Sequence, residues 1–205
     1  MTDLVVVGAG GFGREVLDVA YACGLTDCVV VDDAPSADNI ERLGRMGARH
    51  LGTIDDWLTA DIRAPYLIGV GHPTTRSKIA QRIGGRASAA TLVHPSATIG
   101  RATILGAGSV VCAGAALSNN VELGRHVHVN PNATIGHDTV LGDMVSVNPG
   151  AVVSGACTVD TGVLLGAGSV VLQDVVVGRF ATVGAAACVV RDVPPRAVVK
   201  GVPAR

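Results

Sequence analysis

His137, Asp138 and Gly155 are the residues of this sequence whose types and spacing are best suited to chemistry. A neutral imidazole accepts a proton near pH 7, and the adjacent carboxylate of Asp138 can orient the ring. Gly155 follows His137 by 18 residues, and a glycine leaves its backbone N–H accessible to a developing oxyanion. A base beside an oxyanion donor indicates acyl transfer. A solvated histidine without a catalytic role is the alternative interpretation of the same spacing.

A glycine-rich turn near the N-terminus is the second candidate site. The apolar run Leu4–Val7 precedes the segment 8–13 (GAGGFG), and a helical pattern follows, which is the context of a nucleotide-binding turn. Asp32 and Asp33 come about 20 residues later, where a carboxylate can accept from a ribose hydroxyl or a base N–H. We expect one nucleotide-bearing substrate here rather than NAD, because about 88 residues supply only one mononucleotide-binding half. A tight turn that binds no ligand is the alternative.

A repeat of six residues must position His137 and Gly155. An aliphatic residue recurs at every sixth position from Val93 to Val189, and the residue four positions after each is small or β-branched. Neither a helix nor a plain strand has this period, which is typical of a triangular parallel β-helix. Three hexads make one coil of 18 residues, so Gly155 is expected to stack on His137. Because aliphatic side chains fill the prism, chemistry must lie on its outside.

Residues 1–88 have a different pattern, in which apolar strands alternate with helical segments. We predict strands and helices over the following ranges: Leu4–Val7, Arg14–Tyr21, Val29–Val31, Ile54–Leu58, Leu67–Val70, and a helix from Thr74 or Thr75 to Ile83. This alternation favours a small parallel α/β sheet. The predicted fold is therefore mainly β, with an α/β domain (half of a Rossmann fold) over residues 1–88 and a left-handed parallel β-helix over residues 89–205.

The composition excludes several classes of function. The net charge is −1 and aromatic residues make up only 2% of the chain, so nucleic acid is not an expected partner. No apolar run approaches the roughly 18 residues that a membrane span needs, and the N-terminus lacks the basic residues of a signal peptide. The five cysteines have no framework spacing, which favours reduced thiols and a cytoplasmic location. Cys157 falls on an inward position and is expected to be a core thiol.

Most of the other histidines are expected to be structural or surface groups. His50 falls in a polar segment that we interpret as a loop, and His94 falls at the domain junction. His126 and His128 flank the inward Val127 and should face outward. The histidine spacing of zinc enzymes built on a β-helix is absent, so we predict no metal.

Taken together, both parts of the chain resemble the hexapeptide-repeat acyltransferases related to sialic acid O-acetyltransferase and to the N-acetyltransferases of nucleotide-linked 4-amino sugars. The resemblance covers nearly the whole chain and rests on the segments 7–15 (VGAGGFGRE), 31–33 (VDD), 69–71 (GVG) with Arg76, 94–97 (HPSA), 130–138 (NPNATIGHD), 192–195 (DVPP) and 201–204 (GVPA). Two positions depart from the family's pattern. Gly136 stands where relatives often carry an acid before the histidine, and Ser146 stands where some carry a second histidine.

The resemblance implies an acetyl-CoA-dependent N-acetyltransferase acting directly on the amine of a UDP-, GDP- or dTDP-linked amino sugar, in a homotrimer with active sites between subunits. It implies that His137 is the base, that the Gly155 N–H meets the thioester carbonyl, and that Asn130 lies near the sugar. Acetyl-CoA is further expected to contact Ser146, Ala167 and Ala185. The nucleotide sugar is expected to contact Gly8, Gly10, Gly11, Gly13, Arg14, Asp32, Asp33, Gly71, His72 and Arg76. An O-acetyltransferase for a sialic-acid-like sugar and a non-catalytic trimeric protein that binds sugar nucleotides remain the alternatives.

Overall fold

The N-terminal part of the molecule is a parallel four-stranded sheet in the order β3-β2-β1-β4, with helices between the strands. The computed structural model describes residues 2–60 and 62–205. The elements are β1 (Leu4–Val7), α1 (Gly11–Ala22), β2 (Cys28–Val31), α2 (Ala37–Arg45), β3 (Arg49–His50), α3 (Ile54–Thr59), β4 (Tyr66–Ile68) and α4 (Pro73–Ile83). Within the described residues, none of the helices has the length and apolar composition needed to cross a membrane.

The observed elements confirm the predicted alternation but shift several boundaries. Helix α1 begins at Gly11 rather than Arg14. Helix α4 begins at Pro73, because a proline suits the first helical turn, where its missing N–H is not needed. Helix α2 was not predicted, since its sequence is mostly polar and only Leu43 is buried. The loop predicted around His50 is wrong, because this residue pairs with β2 as part of β3.

The second part of the molecule is the predicted left-handed parallel β-helix. Its strands are β5 (Leu92–Val93), β6 (Thr98–Ile99), β7 (Ile104–Leu105), β8 (Val110–Val111), β9 (Ala116–Leu117), β10 (Glu122–Leu123), β11 (His128–Val129), β12 (Thr134–Ile135), β13 (Val140–Leu141), β14 (Ser146–Val147), β15 (Val152–Val153), β16 (Thr158–Val159), β17 (Leu164–Leu165), β18 (Val170–Val171), β19 (Val176–Val177), β20 (Thr182–Val183), β21 (Cys188–Val189) and β22 (Val198–Val199). They form three parallel sheets, which we name the β5, β6 and β7 sheets after their first strands. The corners between them form the β5/β6, β6/β7 and β7/β5 edges of the prism.

The core of the prism is the predicted column of aliphatic and small side chains. The inward positions form one continuous buried cluster that runs from Val111 to Val193 and ends on Ala204. Cys157 belongs to this cluster, as predicted, and burial raises the pKa of its thiol. Many corners contain a residue in the left-handed backbone region, including non-glycine residues such as Asn120 (φ 57°) and Asp138 (φ 58°).

The two parts of the molecule pack against each other in a continuous buried interface, which we name the seam. Val110 and Cys112 of the β-helix pack into the same buried cluster as β1 and α1. Backbone hydrogen bonds also join the two parts. The N–H of Tyr66 donates to the carbonyl of Ser88 at 2.9 Å, and the carbonyl of Tyr66 accepts from the N–H of Ala90 at 2.8 Å. The predicted boundary between residues 88 and 89 falls inside this pairing. The seam therefore fixes the β5 sheet beneath the N-terminal domain and leaves the β6/β7 edge outside it.

Candidate active site

His137 lies on the β6/β7 edge, in the corner between β12 and β13. Thr134 of β12 pairs with Val152 of β15, which brings the following corners to equivalent levels one coil apart. The Ala156 N–H donates to the carbonyl of His137 at 2.8 Å and ties the two corners together. A methyl group on Gly155 would lie 2.6 Å from both Cε1 and Nε2 of the imidazole. The predicted stacking of Gly155 on His137 is confirmed.

The backbone N–H of Gly155 is an open donor next to the imidazole. Among residues 2–60 and 62–205, no acceptor takes this N–H. A free N–H beside a basic nitrogen is the pair of groups that stabilises an oxyanion while a proton is removed. A Cβ on Gly136 would lie 2.5 Å from the nitrogen of Gly155, so an acid at this position would require the backbone to shift.

The imidazole of His137 is held by the neighbouring carboxylate, as predicted. Nδ1 of His137 lies 2.6 Å from Oδ2 of Asp138, and Nδ2 of Asn120 donates to Oδ1 of the same carboxylate at 2.6 Å. These contacts, with that of Asn120 the larger, hold the pKa of Asp138 below its ordinary value. When Nδ1 donates to the carboxylate, the lone pair of the neutral ring lies on Nε2, which faces Gly155. The arrangement can therefore accept a proton at Nε2.

The glycine turn leaves the N-terminus of α1 open. Gly8 has a φ of 114°, which favours glycine, and a Cβ on Gly13 would collide with the carbonyl oxygen of Gly8. These two glycines let α1 pack tightly on β1. A Cβ on Gly10 would meet nothing within 4 Å, and one on Gly11 would meet only the end of Arg14. Gly10 caps α1 without a side chain, so the first N–H groups of the helix are available to an anion such as a phosphate.

Asp32 and Arg14, both predicted to contact the substrate, shape the glycine turn itself. The carboxylate of Asp32 accepts from the N–H of Ala9 at 2.8 Å and from that of Ala34 at 3.0 Å. The guanidinium of Arg14 donates to the carbonyl of Ala9 at 3.0 Å and to Oδ1 of Asn39 at 2.7 Å. A direct contact of either side chain with a nucleotide stays a prediction.

Asp33 is held as an anion at the end of β2. Its carboxylate accepts from the N–H of Ile54 at 3.0 Å and forms an ion pair with Arg82, which also contacts Asp55 at 2.8 Å. The Ile54 N–H, followed by Arg82, keeps the pKa of Asp33 below its ordinary value. Asp33 remains partly exposed and so can still accept from a ligand.

The prediction that Arg76 contacts the substrate is wrong, because its side chain is completely buried in the seam. Burial lowers the pKa of its guanidinium to about 9, and no carboxylate in the described part of the chain pairs with it. Its donors instead contact the carbonyls of Val70, Gly71, His126, Met144 and Val145 and the hydroxyl of Ser146. Arg76 is therefore a structural cross-link between the two domains.

The prediction that Ser146 contacts acetyl-CoA is also wrong. Ser146 is 1% exposed on the β5 sheet, beneath the N-terminal domain, and donates to the carbonyl of Gly71 at 2.8 Å. It therefore does not face a groove for acetyl-CoA. The carbonyl of Gly71 is likewise used inside the protein, whereas His72 caps α4 and is exposed. Asn130 is 7% exposed and donates to the carbonyl of Val147 at 2.9 Å.

The remaining residues predicted to contact acetyl-CoA lie on a different edge of the prism. Ala167 and Ala185 are exposed on the β5/β6 edge, one coil apart. Gly155 and His137 are on the β6/β7 edge. A single chain therefore does not bring the predicted acetyl-CoA contacts together.

His126 and His128 point away from the prism core, as predicted, but the N-terminal domain covers them. His128 is fully buried with its ring centroid 4.4 Å from that of Phe12, and His126 is 2% exposed and 6.0 Å from Tyr66. Burial lowers the pKa of His126 to about 4 and that of His128 well below its ordinary value. In the described residues, no cluster of three or more His, Cys, Asp or Glu is arranged to hold a metal.

Asn120 is the residue at this site that the sequence analysis missed. It precedes Asp138 by 18 residues, the length of one coil, and adopts the same left-handed conformation. The coil length was therefore the signal that could have found it. The spacing that stacks Gly155 on His137 also places Asn120 beside Asp138, in the preceding coil.

Comparisons with known proteins match both the N-terminal domain and the chain as a whole. A family model described as the PglD N-terminal domain matches residues 3–83. UDP-N-acetylbacillosamine N-acetyltransferase from Bacillus subtilis (strain 168) is 32% identical over 115 residues, which cover 55% of this chain. The match spans about half of that protein, 52% of its length.

The acetyltransferase domain of PglB from Neisseria gonorrhoeae matches the complete chain, with 32% identity, a TM-score of 0.90 and coverage of 99% of that domain. The chain belongs to the nucleotide-sugar N-acetyltransferase family. Another structure of the PglB domain contains acetyl coenzyme A. A variant of perosamine N-acetyltransferase from Caulobacter crescentus, solved with CoA and GDP-perosamine, is 26% identical with a TM-score of 0.91 over 100% of this chain and 96% of that one. The family thus has the same two-part architecture as this chain.

Proposed function

We propose that this protein is an acetyl-CoA-dependent N-acetyltransferase that acts on the amine of a nucleotide-linked amino sugar. The observation that carries the proposal is Nε2 of His137 beside the open N–H of Gly155, with the ring held by Asp138. The relatives support the substrate class, because their names specify an N-acetylated bacillosamine nucleotide and a GDP-linked perosamine.

The proposed reaction is a direct transfer. The sugar amine attacks the thioester carbonyl of acetyl-CoA, forming a C–N bond, while Nε2 of His137 takes the amine proton. The N–H of Gly155 donates to the oxyanion of the tetrahedral intermediate. The C–S bond then breaks, and the leaving thiolate takes the proton from the imidazolium. No acyl-enzyme is needed, because the two substrates meet directly.

We propose that the active protein is a homotrimer whose subunits close the acetyl-CoA groove between them. Gly155 lies on the β6/β7 edge of the prism, and Ala167 and Ala185 lie on the β5/β6 edge. Edges of neighbouring subunits would have to meet for all three to line one groove. The outer face of the β7 sheet also exposes apolar side chains that a neighbour would cover: Ile104 (60% exposed), Val140 (42%) and Val176 (45%). These side chains alternate along the sheet with the exposed Glu122 and Thr158. Large apolar side chains exposed on one face are typical of a surface that packs against another protein.

The nucleotide of the acceptor is proposed to bind at the glycine turn. The open N-terminus of α1 at Gly10 and Gly11 suits the diphosphate, and Asp33 is an ionised acceptor at the neighbouring strand end. UDP-, GDP- and dTDP-linked sugars all present this diphosphate. The three series differ in the nucleobase, which the assay with each nucleotide sugar distinguishes.

We also propose a cytoplasmic location. All five cysteines are free thiols, which is the usual state of cysteines in a reducing compartment. Burial raises the pKa of Cys112 to about 12 and that of Cys28 to about 11, so both remain protonated.

The test is to incubate the protein with acetyl-CoA and UDP-, GDP- or dTDP-linked 4-amino sugars, and to measure release of CoA thiol and the mass of the product. An alkali-stable amide is expected from one nucleotide series, whereas a hydroxylamine-sensitive ester on a sialic-acid-like sugar would favour the O-acetyltransferase.

His137→Ala should lower kcat by about 10²–10⁴-fold, the usual contribution of a general base, while CoA binding persists. Near-normal turnover by this variant would remove His137 from the mechanism. No turnover of any sugar by the unmodified protein, despite sugar-nucleotide binding, would favour the non-catalytic protein.

A further inference from the structure

We propose that Asn120 is a positioning residue for the proposed reaction, one that acts on His137 through Asp138. The inference rests on the proposed function, in which His137 is the base. Asn120 lies on the β6/β7 edge between β9 and β10, one coil before Asp138. Asn120 is not among the residues on which the family resemblance rests.

The geometry is a chain of two short contacts that ends at the imidazole. Nδ2 of Asn120 donates to Oδ1 of Asp138 at 2.6 Å, and Oδ2 of that carboxylate lies 2.6 Å from Nδ1 of His137. Each carboxylate oxygen therefore has its own partner. The amide fixes the rotation of the carboxylate, and the carboxylate in turn fixes the ring and its tautomer.

The hydrogen bond from Asn120 matters because the side chains of His137 and Asp138 are exposed to water. The side chains of His137 and Asp138 are 60% and 51% exposed. An exposed pair of this kind is weak by itself, because water competes for both partners and each side chain has to be ordered. With Asn120 in place, the carboxylate has a fixed orientation before the imidazole binds to it. The hydrogen bond from Asn120 is also the larger cause of the lowered pKa of Asp138, which keeps that carboxylate ionised beside the ring.

Backbone conformation alone does not account for the asparagine. Asn120 has a φ of 57°, and asparagine tolerates the left-handed region better than most residues. However, Ala102 and Ala156 occupy the equivalent corner positions one coil before Asn120 and one coil after Asp138, with φ values of 59° and 57°. Alanine is therefore accepted at this corner, and the amide points to a further role.

The first test replaces Asn120 by glycine, which keeps the left-handed corner and removes the donor. Asn120→Gly should lower kcat on the order of tenfold, with the KM values of both substrates unchanged, because the ring is less well oriented. The acid limb of the kcat/KM profile should move to lower pH, since a loosened carboxylate stabilises the imidazolium less. Ala102→Gly is the matched control, because it makes the same backbone change on the same edge without removing a hydrogen bond.

The second test, Asn120→Asp, moves the acid limb in the opposite direction. A carboxylate at this position repels Asp138 and lowers kcat, yet it adds negative charge near the imidazolium, so the acid limb should move to higher pH. This variant retains a residue that tolerates the left-handed corner, and it decides the question if Asn120→Gly fails to fold. An unmoved acid limb and a kcat within twofold of normal in either folded variant would overturn the role of Asn120. The proposed function fails separately, if His137→Ala keeps its activity.

Discussion

The buried seam and the open β6/β7 edge both carry polar side chains, but the molecule uses them in different ways. In the seam, Arg76, His126 and His128 are almost completely buried. On the edge, His137 and Asp138 are more than half exposed. Desolvated polar groups are costly unless they are paired, and Arg76 meets this cost by donating to carbonyls of both domains. His126 and His128 are buried as neutral rings that pack on Tyr66 and Phe12. The edge leaves an imidazole nitrogen and a backbone N–H open for a substrate.

The comparison shows that burial, rather than residue type, separates structural from chemical roles in this chain. Arg76 is predicted to contact the substrate and Ser146 to contact acetyl-CoA, yet the two side chains bind each other at 2.9 Å inside the seam. Asn120 belongs to none of the resembling segments, yet it contacts the proposed base through one carboxylate. Variants in the seam should therefore change stability, and variants on the edge should change turnover.

The largest expected effect on stability belongs to Arg76→Met in the seam. Methionine fills much of the volume but leaves the carbonyls of both domains without donors. We expect a loss of about 3–5 kcal/mol in the free energy of unfolding, measured by urea denaturation. Arg42→Met is the control, because Arg42 is 54% exposed and should change stability by less than about 0.5 kcal/mol. A loss below about 1 kcal/mol for Arg76→Met would show that the seam does not depend on this cross-link.

On the edge, Gly155→Ala should affect turnover more than stability. The new methyl group would lie 2.6 Å from the His137 ring and displace it, and a displacement on the order of 1 Å costs about 10²-fold in rate. The measurement is kcat at saturating substrates, with the melting temperature as the check on folding. In the His137→Ala background the same methyl group meets no ring, so the two substitutions should be strongly non-additive. Additive losses would place Gly155 outside the site of the imidazole.

The smallest expected effect is the pH dependence of stability that the buried histidines of the seam cause. The folded-state pKa of His126 is lowered to about 4 and that of His128 is also lowered, while an unfolded histidine titrates near 6.5. Below pH 6.5 the unfolded chain therefore binds protons that the folded chain does not. The stabilisation by the neutral rings is complete above pH 6.5 and is lost as the pH falls towards about 4.

Between pH 6.5 and 5.5 we expect a loss of about 1 kcal/mol for each buried ring, measured by urea denaturation at several pH values. His126→Gln and His128→Gln should each reduce the slope of stability against pH. The exposed His72 provides the control, since His72→Gln should leave the slope unchanged. A slope that neither seam variant reduces would mean that other groups titrate on unfolding.

The sequence predicts the edge better than the seam. The period of six places Val147 and its equivalents in the core and stacks Gly155 on His137, because every coil repeats one local geometry. The seam has no period, since it forms where two unrelated surfaces meet. The burial of His128 under Phe12 depends on how the N-terminal domain sits on the β5 sheet. That placement depends on contacts between residues far apart in the chain, and no local pattern encodes it.

The fixed length of the coil also sets the distance between side chains along each edge of the prism. Each coil takes 18 residues and advances the prism by the spacing of neighbouring strands, about 4.8 Å. Inserting one complete coil between Asn120 and Asp138 would keep every strand in register and yet move the amide beyond hydrogen-bonding distance of the carboxylate. Inserting the same coil after Leu172 would lengthen the prism and leave that contact intact. Length along the prism and chemistry at the imidazole can therefore be changed independently, in steps of one coil.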